Sequence, residues 1–243
     1  MELLARLHWI EGRASNIYLW QGDAGLLMFD TGMPGDAKKI LAYIDEAGFR
    51  PADVMAILIT HADKDHAGGA AELSDHCQAP VYASSATAEL LMAGESPKHL
   101  PRLIQFIADH FMGYNPVAAD GIQIVEDGQS QPELHEWQIM ATPGHCADHH
   151  SFCSPVHGIL FAGDALSTRG DRLQLNNKFI TADQAAARKS ARRLLQLTPA
   201  VFACGHGRPM TDHNAEDLMM LSQELRSVEA LERNARPEGA TGG

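Results

Sequence analysis

Short apolar runs, four to six residues long, recur along the chain, and each gives way to a polar or glycine-rich stretch. Ser15 to Trp20 and Gly25 to Phe29 flank the turn residues Gln21-Gly22-Asp23, and Val54 to Ile59, Pro80 to Ala83, Gly158 to Gly163 and Ala200 to Cys204 repeat the pattern. Runs of this length, rich in β-branched and aromatic residues and bounded by turn formers, predict strands. Between them the period lengthens to that of a helix. Pro34 opens a segment whose Ile40, Leu41 and Ile44 share a face and which Gly48 stops. Thr181-Ala182-Asp183-Gln184 is a capping-box-like start for a helix carrying Ala191, Leu194 and Leu195. Asp212 to Asn234 places Leu218, Leu221, Leu225 and Val228 at helical spacing. Strands alternating with helices predict a layered α/β or α+β fold.

Two regions depart from this rhythm. Residues 86–130 contain two expected helices, Thr87 to Met92 and Leu100 to Gly113, punctuated by Pro97, Pro101 and Pro116. An excursion of this size reads as a lid or substrate wall set into a single domain over 1–235. Its Leu90, Leu91, Met92, Phe106, Phe111, Met112 and Tyr114 would offer an apolar wall, with the Tyr114 hydroxyl as a donor to a substrate carbonyl. The leucine seam of 212–234 either packs on the chain's own sheet or pairs with a second copy as a homodimer. Residues 236–243 are expected to be a disordered tail.

Composition narrows the function. The 243 residues carry 19 Lys and Arg against 31 Asp and Glu, a formal charge of −12. That balance disfavours nucleic acid and anionic membrane surfaces, whose affinity for proteins comes from basic side chains. No apolar run approaches the roughly 20 residues that a membrane span needs. The first residues, with Glu2, Arg6 and His8 among them, do not read as a signal peptide. Cys77, Cys146, Cys153 and Cys204 form no C-x-x-C pair, which suits reduced thiols in a cytoplasmic protein. Thirteen histidines are the anomaly.

Their clustering carries the chemistry. The loop after the Val54 strand reads Thr60-His61-Ala62-Asp63-Lys64-Asp65-His66-Ala67-Gly68-Gly69, four strong ligand types within six positions. His145 lies in a turn after Thr142-Pro143-Gly144, Asp164 follows Gly163 at a strand end, and His206 sits between Gly205 and Gly207 at another. Together these residues supply enough nitrogen and oxygen donors for two divalent metals. His149 and His150 lie just beyond His145, and strand alternation lets only one of them face a cleft. His8, His76, His99, His110, His135, His157 and His213 fall outside any cluster and read as solvated.

In the order and placement of these motifs, from Asp30-Thr31-Gly32 through the His-x-Asp-x-Asp-His loop to Gly205-His206-Gly207, the chain resembles the metallo-β-lactamase-fold superfamily of metal-dependent hydrolases. The resemblance implies an α+β fold, a four-layer αββα sandwich with its metal site at one edge between the sheets. It implies a first ion on His61, Asp63 and His145, a second on Asp65, His66 and His206, and Asp164 bridging them. Asp30 would either fix a ligating imidazole from behind or serve the turn Asp30-Thr31-Gly32. Zinc is the usual metal of the family, but this chain has Asp63 where the family usually has His. A carboxylate there shifts preference toward iron or manganese.

Two metals can share a hydroxide at neutral pH, which would attack a polarised carbonyl. Asp65 would orient it and pass a proton to the leaving group. The expected function is hydrolysis of an ester-like bond, a thioester or lactone, in a small molecule. Tyr114, Lys178 and His149 are the candidate substrate contacts. Two other readings remain: a diiron redox protein related to the flavodiiron branch, and a non-catalytic metal-bound sensor domain.

Overall fold

The computed structural model describes residues 1–99, 105, 113–170, 172–211 and 215–235. Thirteen strands run in chain order: β1 (Glu2–Leu4), β2 (Leu7–Glu11), β3 (Asn16–Gln21), β4 (Leu26–Phe29), β5 (Val54–Leu58), β6 (Val81–Ala83), β7 (Ile122–Ile124), β8 (Gln138–Ala141), β9 (His150–Ser154), β10 (Ile159–Gly163), β11 (Ser167–Arg169), β12 (Arg172–Gln174) and β13 (Val201–Cys204). The described α-helices are α1 (Ala37–Glu46), α2 (Lys64–Ala67), α3 (Ala70–Cys77), α4 (Ser85–Ala93), α5 (Gln184–Leu195) and α6 (Ala215–Ala235). β1 to β7 form one sheet in sequence order, antiparallel to β4 and parallel from there. A second sheet has the order β13-β10-β9-β8, and β11 and β12 make a small hairpin.

Strand alternation explains why the apolar runs are uninterrupted: both faces of each sheet are covered. Ile17 and Leu19 of β3 pack outward with Ile40 and Ile44 of α1 and Leu73 of α3. Tyr18 and Trp20 of the same strand face inward to Phe152, Phe161 and Trp137 of the other half. On β10 and β13, Phe161 and Ala203 join that inner core, whereas Leu160 and Phe202 face Leu194 of α5 and Leu221 and Leu225 of α6. The result is the expected αββα sandwich.

Several boundaries move for local reasons. The helix expected from Pro34 begins at Ala37, because Gly35 takes a left-handed φ of +88° and the Asp36 carboxylate accepts from Met33 N–H before the helix starts. The helix expected from Thr181 begins at Gln184, where Asp183 accepts from the amides of Ala185 and Ala186 at 2.8 and 2.9 Å. The stretch 60–69, expected as a loop, contains the single turn α2, closed by Ala67 N–H to Asp63 O at 2.8 Å. The first expected helix of 86–130 is α4. The second, Leu100 to Gly113, and the tail 236–243 lie outside the described residues. The leucine seam of α6 packs on the chain's own second sheet through Leu221 and Leu225.

All four cysteines are buried and unpaired. Burial pushes the thiols of Cys77 and Cys153 up to about 11, which keeps them protonated and inert at neutral pH.

Phe29 and Phe161 stack across the two sheets with ring centroids 3.7 Å apart. Truncating Phe29→Ala therefore removes the joint between the layers and is expected to cost about 3–5 kcal/mol, read as a lowered midpoint in denaturant unfolding; a loss under 1 kcal/mol would deny the pair that role.

Candidate metal centre

Several strands end at one edge of the sandwich, and their terminal loops meet there. Asp30 follows β4, Thr60 and His61 follow β5, Asp164 follows β10, and His206 stands just beyond β13. His145 comes from the turn between β8 and β9, and α2 carries Asp65 and His66. Asp63 occupies the position before α2 yet makes no capping hydrogen bond with its side chain. An aspartate there ordinarily accepts from the first helical amides. Here the carboxylate turns to the histidines instead.

Its Oδ2 lies 2.9 Å from His145 Nε2 and 3.3 Å from His61 Nε2. Asp164 Oδ1 is 3.4 Å from His66 Nε2, and its Oδ2 is 3.2 Å from His206 Nε2 and 3.6 Å from His145 Nε2. Asp65 Oδ2 stands 3.6 Å from His206 Nε2 and 3.8 Å from His66 Nε2. Among the described residues three groups are compact enough to hold an ion: His61, His145 and Asp164; Asp63, His99 and His145; and Asp65, His66 and His206. The structure thus brings together all seven residues singled out in the sequence, with Asp164 beside members of both expected ligand sets.

The orientation of the imidazoles follows from what lies behind them. His66 Nδ1–H donates to Asp30 Oδ2 at 2.8 Å and His206 Nδ1–H to Ala14 O at 3.0 Å. Asp30 also accepts from Thr60 N–H at 2.8 Å and from the Thr60 hydroxyl at 2.9 Å. With its proton committed there, Thr60 Oγ1 accepts from His61 Nδ1–H at 2.9 Å. Each of these bonds leaves a lone pair on Nε2 facing inward. His145 has no partner on Nδ1 among the described residues, and its backbone carbonyl accepts from Ala182 N–H at 2.9 Å.

This arrangement is unfavourable without a cation. The inward nitrogens of His66 and His206 stand 3.5 Å apart, so that with both rings neutral and Nδ1–H committed outward two lone pairs face each other. Among the described residues, His61 Nε2 and Asp164 Oδ1 are buried with no hydrogen-bond partner, an expensive state for polar atoms. Donors bound at about 2.0–2.2 Å around a tetrahedral ion stand roughly 3.3–3.6 Å from one another, and the separations above fall close to that spacing. The donor set fits metal ions.

The electrostatics agree. Burial opposes the charge of Asp164, yet the imidazoles of His66, His206 and His145 hold its carboxyl well below the usual range. Burial likewise opposes a charge on His66, but Asp164, Asp65 and Asp30 push its pKa well up. Asp63 is also buried, and the neighbouring imidazoles of His145 and His61 hold its carboxyl well below the usual range. The cluster demands positive charge.

Three sequence expectations need correction. His149 does not reach the cleft: it is fully buried, donates from Nδ1 to Thr142 Oγ1 and accepts Asp164 N–H on Nε2, both at 2.8 Å. Burial, then the charges of His61 and His145, drive its pKa well down, so it is a neutral prop for Asp164. Gly163 fits around it with φ +51°, since a Cβ would lie 2.5 Å from His149 Nε2. The Tyr114 hydroxyl is taken by the carbonyls of Ala62 and Glu95, each at 3.0 Å, which removes it as a substrate donor. His99 and His8, expected to be solvated, are not. His8 is buried against Tyr43, and His99 brings Nε2 to 3.4 Å from Asp63 Oδ2. Lys178 is exposed, with its ammonium over the Phe179 ring.

Sequence reasoning also missed Asp148, whose buried carboxylate accepts from Ala62 N–H at 3.1 Å and from the Thr87 hydroxyl at 3.0 Å. It thereby pins the ligand loop to α4. Its position two residues ahead of β9, among the histidines, was the available signal.

The model of the metallo-beta-lactamase superfamily matches residues 10–206, and the chain belongs to that superfamily. Over 91% of its length it is 27% identical to the Bacillus subtilis (strain 168) protein named "Probable metallo-hydrolase YflN", covering 92% of that protein. It is 28% identical to the hydroxyacylglutathione hydrolase of Idiomarina loihiensis across 68% of this chain and 52% of that enzyme, so the chain aligns with about half of that relative's length. Among solved structures, a Cronobacter sakazakii metallo-beta-lactamase with a HARLDQ motif superposes with a TM-score of 0.71 at 23% identity, covering 97% of this chain and 94% of that one. TTHA1623, solved in a di-iron-bound form, gives a TM-score of 0.65 at 26% identity, covering 84% and 93%.

Replacing Asp30→Asn keeps the shape but presents an amide where His66 needs an acceptor. Metal affinity is expected to fall about 10–100-fold, measured by chelator competition; unchanged affinity would show that Asp30 does not orient the ligands.

Proposed function

We propose that the chain is a binuclear metal-dependent hydrolase acting on an ester-like bond, a thioester or lactone, of a small molecule. The observation that carries this reading is the convergence of seven ligand side chains at one cleft of about 200 Å³, which Asp63, Asp65, His145, Asp164 and His206 line while His61 and His66 are fully buried beside them. His61, Asp63 and His145 would hold one ion, Asp65, His66 and His206 the other, with Asp164 between them. When bound, two such ions lower the pKa of a shared water and polarise a substrate carbonyl.

The chain's own residues set up the rest. Asn176 Nδ2 donates to Asp164 Oδ2 at 2.8 Å and fixes the carboxylate between the two sets. Asp65 is less buried than Asp63 or Asp164 and lines the cleft. It is placed to take the proton of the attacking water and deliver it to the leaving group. Pro97 and Ile180 flank the opening with apolar surface. Lys178 belongs to the same short turn as Ile180 and is an exposed cation that would meet an anionic part of the substrate.

The thioester assignment is supported by similarity to hydroxyacylglutathione hydrolases, whose named substrate is an acyl thioester. A hard carboxylate at position 63 supports iron or manganese beside zinc as the physiological metal, in keeping with the di-iron form of TTHA1623.

A panel of thioesters, lactones, β-lactams and phosphodiesters tests the reaction. The metal-loaded protein is expected to turn over one of the first two classes fastest, a chelator to abolish the activity, and Asp65→Asn to lower kcat by about 10²-fold or more. A protein that holds its metals and cleaves neither thioesters nor lactones contradicts the proposal. Asp63→His tests the metal: the variant is expected to retain more zinc relative to iron than the native chain grown in the same medium. An unchanged ratio would remove Asp63 from the ligand set.

A further inference from the structure

His99 belongs to the segment between α4 and β7, remote in sequence from every ligand considered so far, yet its side chain is only 6% exposed and lines the same cleft. Its Nδ1–H donates to Pro97 O at 3.1 Å. That bond leaves the lone pair on Nε2, which stands 3.4 Å from Asp63 Oδ2. A nitrogen lone pair set against a carboxylate oxygen is repulsive unless a cation lies between them. His61, His66 and His206 share this arrangement, with Nδ1 tied outward and Nε2 turned to a carboxylate. His99 also packs on His145, ring centroids 4.7 Å apart, and Asp63, His99 and His145 form a compact group of metal-ligating atoms in their own right.

We infer that His99 is an additional ligand of the ion held by Asp63 and His145, so that metal binding fastens the Glu95–His99 segment over the cleft. The assignment rests on the binuclear reading above and extends it to a residue that the family resemblance does not include.

The segment is built to deliver the ring. Ser96 Oγ accepts Lys64 N–H at 3.1 Å, and the single proton of the Tyr114 hydroxyl is shared between Glu95 O and Ala62 O. Both anchors fall within the loop that carries His61, Asp63 and His66. Gly94, at φ +67°, makes the turn out of α4 while lying so close to Tyr114 O that a Cβ would collide with it. The chain is thus tethered to the ligand loop at Glu95 and Ser96 before any metal arrives. Metal then adds a bond at the tip.

Titration of the metal-free full-length protein with Co(II), followed by its visible absorption and by chelator competition, tests this. The native chain is expected to bind two ions. His99→Ala and His99→Gln are each expected to bind one of the two at least about tenfold more weakly, with altered absorption bands for that ion and a far-ultraviolet circular dichroism spectrum like the native one. Proton NMR of the native Co(II) protein gives an answer independent of any variant: the expected set of paramagnetically shifted imidazole signals includes that of His99 along with His61, His66, His145 and His206. Native affinity and absorption in both variants, or the absence of His99 from the shifted set, would overturn the assignment while leaving the binuclear centre intact. A native chain that binds no Co(II) would overturn both, and that failure appears in the native protein rather than in the variants.

Discussion

Asp30 is the buried carboxylate on which the geometry of the site depends. It accepts the Nδ1–H of His66 directly and that of His61 through the Thr60 hydroxyl. Two imidazoles are therefore held in the tautomer whose free lone pair faces inward, by one acceptor that itself takes no place among the inward-facing donors. Its position is exacting. The backbone of Asp30 is left-handed, with φ +57°, a conformation that aspartate tolerates better than most residues, and its amide still bonds to Leu58 O of the neighbouring strand. The turn out of β4 and the aim of the histidines are thus one feature.

The sandwich turns this local arrangement into a rigid centre. Phe29, immediately before Asp30, stacks on Phe161, three residues before Asp164, so the inner core sets the distance between ligands from opposite sheets. A second tie runs at the other side of the site: Asn16 Nδ2 and the Tyr18 hydroxyl donate to Cys204 O at 3.0 and 2.8 Å, and Asn16 N–H to Gly205 O at 2.8 Å. These bonds lash β13, and with it His206, to the first sheet. Gly205 is required there because any side chain would collide with Asp164 Oδ1 and His66 Cε1. Packing, rather than the ligand loop alone, makes the donors converge.

Much of this was legible in the sequence because it is local. The apolar runs of β5, β10 and β13 announced buried strands, and His61, Asp63, Asp65 and His66 declare a ligand loop by their spacing alone. Asp30 was legible as an outer partner for an imidazole, though not its relay through Thr60, which needs the register of β4 against β5. His149 was misread because strand alternation was taken to send one of His149 and His150 toward the cleft, whereas β9 begins at His150 and the His149 ring turns inward to meet Asp164 N–H. His99 carried no local signal. Its partner Asp63 is brought to it by folding, across α2, α3, β6 and α4, and a histidine beside Pro97 and Lys98 resembles any solvated one. Tyr114 looked like a substrate donor because a phenol in an apolar stretch gives no hint that two backbone carbonyls will claim it.

The account turns on cations satisfying the inward-facing nitrogens and oxygens. Elemental analysis of the full-length protein, purified without added metal and shown to be folded by circular dichroism, tests that most directly. Two transition-metal ions per chain are predicted, released together with a loss of thermal stability when a chelator is added. A fully folded protein carrying less than one ion per chain, with a melting temperature indifferent to chelator, would contradict it.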